Sequence, residues 1–164
     1  MTLTQVIHTI EAVAGGQPTV RSIVRNDIFR LNSYPDAKYG VFGWTQGQHV
    51  SEIASSLITY RFTFLYIDRL TADQGNQVEI QSVGIQTLDN IIRLLEQNGV
   101  YSASEWTYTT FNQRFHDECA GVFASVAFQV PVQGLCGESF ADFNLDFNED
   151  FAISEIRLLG MEIN

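Results

Sequence analysis

The sequence predicts an α+β fold, in which antiparallel β-sheet is packed by two helices and followed by an acidic, β-rich C-terminal extension. Three observations lead to this prediction. Two segments, 2–14 and 78–97, repeat apolar residues at helical spacing, and several others alternate as strands do. The acidic residues are concentrated after Pro131. Runs of strands broken by single helices are typical of α+β domains.

The first predicted element is a helix over residues 2–14. Its apolar stripe consists of Leu3, Val6, Ile10, Val13 and Ala14. Thr2 or Thr4 is suited to cap its start, and Gly15-Gly16 to end it. Residues 20–31 then favour extended structure, and residues 32–40 a turn.

The next predicted elements are a short aromatic strand in "YGVFGW", a polar loop over 46–56 and a long strand over 57–69. The long strand alternates strictly. One of its faces carries Tyr60, Phe62, Phe64 and Tyr66, and the other carries Arg61, Thr63, Leu65, Ile67 and Arg69. We expect one face to pack under helix 78–97 and the other to remain for a different contact.

The second half of the chain begins with the helix over 78–97, which ends at Asn98-Gly99, a good C-cap pair. Strands are predicted over 105–115 and 119–132. In the C-terminal segment Phe143, Leu145 and Phe147 alternate with polar residues, as in a half-exposed strand.

Charge sets the predicted domain boundary. The chain carries 19 acidic and 9 basic residues, a net charge of −10, which argues against external binding to nucleic acid. Residues 132–164 contain seven carboxylates and one arginine, so we predict a domain over 1–131 and an extension or arm over 132–164.

No apolar run is long enough to span a membrane. Two cysteines make no disulfide framework, which suits a cytoplasm with reduced thiols.

Few residues are candidates for catalysis or for metal binding. In "RFHDECAG", His116 and Cys119 could supply a metal site with Cys136 or His49, or a nucleophile pair, but no supporting motif accompanies them. "DFNLDFNED" begins like a calcium loop, yet Phe147 replaces the required glycine and Ile153 the final glutamate. We therefore predict no enzyme, no cofactor and no metal.

Large aromatic residues and arginines are abundant. The chain has 12 Phe, 6 Tyr and 2 Trp, and all its basic residues except Lys38 are arginines. Both residue types are enriched in the cores of interfaces. The predicted subunit-interface residues are Trp44, Arg61, Tyr66, Arg69, Phe143 and Phe147. The C-terminal segment either packs on a neighbouring subunit or adds strands to its own domain.

The chain resembles the small neck or tail-terminator proteins of tailed bacteriophages, and in particular the ring proteins of crAss-like phages of Bacteroidota. The resemblance lies in "LTQVIHTIEAVAG", "ITYRFTFLYIDRL", "TADQGNQVEIQSVGIQTLDNIIRLLEQNG" and the strands over 105–132. It covers about residues 1–131.

The resemblance implies a tail-terminator-like subunit that assembles side by side into a homo-oligomeric ring, six- or twelvefold. Such a ring is a virion structural protein at the portal–tail junction, assembled in the cytoplasm of the host bacterium. It contacts the portal or other neck and tail rings, and no membrane. DNA passes through its lumen without specific binding, which acidic walls favour.

Two other functions are compatible with the sequence. One is a cytoplasmic module that binds a small ligand beneath helix 78–97. The other is a hydrolase that uses His116 and Cys119.

Overall fold

The computed structural model describes residues 1–25, 38–52, 57–102, 105–114 and 118–131. Within these residues two helices and seven strands form. In chain order they are α1 (Leu3–Gly15), β1 (Ser22–Arg25), β2 (Val41–Gln46), β3 (Val50–Glu52), β4 (Leu57–Arg69), α2 (Gln77–Gln97), β5 (Tyr101–Ser102), β6 (Thr107–Arg114) and β7 (Glu118–Pro131). The predicted α+β class is confirmed. The C-terminal segment 132–164 lies outside the described residues.

All seven strands belong to one mixed sheet in the order β1-β2-β4-β7, and β5 and β6 both pair with the far side of β7. Its centre is the antiparallel pair β4–β7, in register from Leu57 opposite Pro131 to Arg69 opposite Cys119. β2 and β3 lie one after the other along β4.

One pair departs from the antiparallel prediction: β1 runs parallel to β2. A tight hairpin cannot join parallel neighbours, because the chain must return to the end of the sheet from which it started. In the sequence, residues 26–40 separate Arg25 from Val41.

Alternation gives the sheet two faces. The helix face is the one against α1 and α2, and its β4 residues are Tyr60, Phe62, Phe64 and Tyr66. The second face carries Arg61, Thr63, Leu65, Ile67 and Arg69 of β4, and the odd-numbered residues of β7 lie beside them. The aromatic face of β4 is therefore the one that packs under the helices.

Local contacts account for the start of α1 and for the close approach of α2 to the sheet. α1 starts in a capping box, in which the Thr2 and Gln5 side chains each accept from the other's backbone amide. α2 lies very near the sheet at Gly84, where an added Cβ would be 2.9 Å from Val122 Cγ2 and 3.0 Å from Tyr66 Cδ1. Only glycine fits that approach without displacing a neighbour.

Two short strands were not predicted. β3 forms within the segment predicted to be a polar loop, because its backbone continues the pairing of β2 along β4. β5 consists of two residues that pair with Gln129 and Phe128 of β7. Neither strand has an apolar alternation of its own, so pairing with a neighbour decides both.

Candidate subunit interface

A small apolar cluster lies on the second face of the sheet. Its buried members are Leu65 and Ile67 of β4 and Cys119 of β7, and Tyr39, Phe111 and Phe123 pack around them half-buried. The Phe111 and Phe123 rings are in contact, with centroids 4.6 Å apart. The cluster is thus an aromatic patch next to the β4–β7 seam.

Polar contacts tie the edge of this cluster together. The Arg69 guanidinium lies 5.7 Å from the centroid of the Tyr39 ring, which is within cation–π range. The Cys119 thiol donates to the Tyr39 hydroxyl at 3.6 Å. Cys119 is fully buried, so it behaves as a small core residue.

Gly121 leaves room for the Phe111 ring on the second face. A Cβ at this position would be 2.2 Å from the Tyr66 carbonyl oxygen and 2.7 Å from Phe111 Cζ. The first of these atoms is backbone, so it cannot move without separating β4 from β7. Gly121 therefore fixes both the strand pairing and the position of the aromatic patch.

The other end of the second face is polar and exposed. Arg61 of β4, Ser125 of β7, and Thr107 and Thr109 of β6 are all exposed there. Tyr101 of β5 is 59% exposed beside Gln129. The second face thus combines half-buried rings at one end with an exposed arginine, hydroxyls and a tyrosine at the other.

The predicted interface residues fall into three groups. Trp44 and Tyr66 are only 2% exposed and pack in the helix-face core, so the subunit's own helices bury them rather than a neighbour. Arg61 and Arg69 are exposed on the second face. Phe143 and Phe147 lie outside the described residues. The structure brings the two arginines to one face and places the two aromatic residues on the other.

Sequence reasoning did not single out Tyr39, Phe111 or Phe123 as site residues. Phe111 and Phe123 belong to different strands, and only the register of β6 on β7 brings their rings together. The two-residue spacing of Thr107, Thr109 and Phe111 is the available signal, since it places all three on one face of β6. This spacing predicts which residues of β6 share a face, but it does not predict that Phe123 of β7 lies beside Phe111.

Tyr66 is held on the helix face by burial and hydrogen bonding. Its hydroxyl donates to the Thr19 carbonyl at 3.5 Å, and the Thr19 and Thr87 hydroxyls are 2.8 Å apart. Burial, together with the nearby Asp68 carboxylate, raises the pKa of Tyr66 to about 12, although Arg21 acts in the opposite direction. The phenol is therefore a neutral structural group at physiological pH.

A polar network fastens β6 to α2. Trp106 Nε1 donates to the Tyr108 hydroxyl at 2.6 Å, which in turn donates to Asp89 Oδ1 at 3.0 Å. Arg93 Nε donates to Asp89 Oδ2 at 2.6 Å, and the Arg93 guanidinium lies 5.9 Å from the Trp106 ring centroid. The edge strand β6, which carries Phe111, is thereby anchored to the helix.

Protonation states in this network follow from its contacts. Burial, and donation to the Asp89 carboxylate, raise the pKa of Tyr108 to about 12, against the opposing effects of Trp106 and Arg93. Burial would raise the pKa of Asp89, but the hydrogen bonds from Arg93 and Tyr108 outweigh it and hold the pKa below its usual value. The network is thus ion-paired at neutral pH.

Within the described residues, the side chains considered for catalysis or metal binding do not come together in a site. His116, Cys136 and the calcium-like segment from Asp142 lie outside the described residues. Among the residues that the structure covers, no group of three or more His, Cys, Asp or Glu side chains is placed to hold a metal ion. In the same residues, neither helix is both long and apolar enough to cross a membrane.

No protein-family model matches the chain, and no curated protein matches it.

Proposed function

We propose that the chain is a virion structural protein that forms a homo-oligomeric ring at the portal–tail junction of a tailed bacteriophage. In this role it joins the portal to other neck or tail rings and encloses the channel through which DNA passes. The proposal rests on the resemblance of residues 1–131 to phage ring proteins and on the distribution of aromatic residues and arginines over the sheet.

The observation that carries the proposal is the second face. Both helices lie on the helix face, while the second face presents half-buried Phe111 and Phe123 together with exposed Arg61. Aromatic side chains and arginines are the residues that most often dominate binding energy at interfaces. A head-to-tail contact in a ring joins two different surfaces of each copy, and the second face would be one of them.

Charge supports the role of a conduit. With a net charge of −10, the chain repels a nucleic-acid backbone, whereas tight DNA binding needs a basic surface. A ring of such subunits lets DNA pass without holding it.

The test measures assembly of the full-length chain by size-exclusion chromatography with light scattering, followed by electron microscopy of the oligomers. We expect a large homo-oligomer with a central channel, formed by the chain alone or together with a portal protein. A chain that stays strictly monomeric and is not incorporated with portal or neck proteins would rule the ring out.

A matched pair of variants locates the contact. Arg61→Glu reverses the charge of the exposed arginine on the second face and should abolish assembly. Arg21→Glu makes the same charge change on an exposed arginine near Tyr66 on the helix face and should leave assembly intact. Equal loss in both variants would point to net charge rather than to the second face.

Neither alternative function gains support from the described residues. A ligand pocket beneath α2 conflicts with the close packing at Gly84, where side chains of the sheet fill the space. A Cys–His nucleophile pair conflicts with the full burial of Cys119 and with its hydrogen bond to Tyr39.

A further inference from the structure

A β-bulge interrupts the strand formed by β2 and β3. Gln46, the last residue of β2, pairs with Phe62, and Val50, the first of β3, pairs with Thr59. Three residues, 47–49, therefore face only two residues of β4, Tyr60 and Arg61. One extra residue in one strand is the definition of a bulge, and it leaves the backbone ladder incomplete.

His49 completes the ladder with its side chain. The Arg61 carbonyl accepts from the Gly47 amide at 2.8 Å, as in a normal sheet. The Arg61 amide, however, donates to Nδ1 of the His49 imidazole at 3.3 Å. The ring thus takes the place of the backbone carbonyl that the bulge has displaced, and an otherwise unpaired amide is satisfied.

The ring is held in this position by its neighbours. It meets the Tyr60 ring edge-on, with centroids 5.2 Å apart, and lies 6.1 Å from the Phe62 ring. Its Nε2 is 3.3 Å from Gln46 Oε1. With Nδ1 accepting, the neutral imidazole carries its proton on Nε2, which donates to the Gln46 side chain.

We propose that His49 is a pH-responsive latch that holds β3 on β4. When the ring gains a second proton, Nδ1 becomes a donor and faces the donating amide of Arg61. The hydrogen bond is then lost, and the start of β3 loosens from β4. Histidine is the side chain whose charge ordinarily changes between pH 5 and 8.

The hydrogen bonds and ring contacts that the structure gives the imidazole are with Gln46 of β2 and with Tyr60, Arg61 and Phe62 of β4. None of these residues is a carboxylate that would offset a positive charge on the ring. By alternation along β4, the Arg61 side chain lies on the second face, opposite Tyr60 and Phe62. The latch works within a single subunit, whatever the chain assembles into.

The test is hydrogen–deuterium exchange of the full-length protein followed by mass spectrometry, at about pH 7.5 and about pH 5.5, a range over which histidine side chains ordinarily change charge. Rates are corrected for intrinsic chemical exchange. We expect protection of the β4 amides that face β2 and β3, and of Arg61 in particular, to fall roughly two- to tenfold at the lower pH, the factor that one neutral hydrogen bond contributes.

Three variants separate the latch from other effects of pH. His49→Asn places an amide oxygen where Nδ1 accepts but cannot titrate, so protection should stay high at both pH values. His49→Phe keeps a ring but removes the acceptor, so protection should be low at both. His8→Asn changes an exposed histidine of α1 and should behave as the unmodified protein does.

A second measurement stands independently of the variants' stability. Selective ¹⁵N labelling of histidine reports which nitrogen carries the proton, and at about pH 7.5 His49 should have an unprotonated Nδ1. A proton on Nδ1, protection that does not change with pH, or an equal fall in the His49→Asn variant would each overturn the latch.

Discussion

The two faces of β4 differ although they belong to the same thirteen residues. On the helix face four successive side chains, Tyr60 to Tyr66, are buried in an unbroken row. On the second face Thr59, Leu65 and Ile67 are buried, and exposed Arg61 and Arg69 lie on either side of Leu65 and Ile67. The same alternation thus produces a closed core on one side and a small apolar patch with charged ends on the other.

The difference fits the proposed ring, in which a subunit must be stable by itself and still keep a contact surface. The helix face supplies the stability, because α1 and α2 cover its aromatic residues. The second face combines a small buried cluster with half-buried rings and exposed polar residues. Substitutions on the two faces should therefore separate folding from assembly.

Phe64→Ala should have the largest effect. Phe64 is 0% exposed and contacts Phe42 and Phe128, at ring-centroid distances of 5.4 and 6.0 Å. Truncating such a residue lowers the free energy of unfolding by about 3–5 kcal/mol, measured by chemical denaturation. Phe123→Ala on the second face should cost about 1 kcal/mol, because its ring is half-buried. Equal costs would contradict the difference between the faces.

Gly121→Ala should cost about 1–3 kcal/mol, because the new Cβ would overlap the Tyr66 carbonyl oxygen and the Phe111 ring. Gly84→Ala should cost less. Its nearest atoms belong to the side chains of Val122 and Tyr66, and alanine gains about 1 kcal/mol of helix propensity over glycine. Thermal unfolding of both variants checks this order, and a larger loss for Gly84→Ala would reverse it.

Asp89→Asn tests the network that anchors β6. The folded-state pKa of Asp89 is lowered, so its stabilising contribution is present above the unfolded pKa of about 3.9 and is lost as pH falls through the folded value. Because the group is partly solvated, we expect a loss of less than about 1 kcal/mol at neutral pH. Unfolding curves between neutral and acidic pH should converge for the variant and the unmodified protein. Curves that stay parallel would show that the carboxylate does not titrate as the network requires.

Arg61→Glu should change subunit stability least, by no more than about 0.5 kcal/mol, because its side chain is exposed and away from the core. The same variant is expected to lose assembly, so stability and oligomeric state should respond independently. A large loss of stability would mean that Arg61 belongs to the fold and that its effect on assembly is indirect.

Local patterns in the sequence were sufficient for the main elements. The predicted strand over 57–69 matches β4, and the predicted helix over 78–97 matches α2 to within one residue. Both carry a strong periodicity over many residues, and for such segments local spacing and burial agree. The opposite faces of Arg61 and Tyr66 also follow from alternation alone.

The sequence by itself determined the α+β class, the long elements and the two-sided character of β4, since these depend on periodicity along the chain. Only the tertiary structure decided which face the helices cover, the parallel pairing of β1, the bulge closed by His49, and the contact between Phe111 and Phe123. Each of these joins residues distant in the chain or backbone groups without a side-chain signature. The physical reason is that partners across a sheet are chosen by register and packing, which no local pattern encodes.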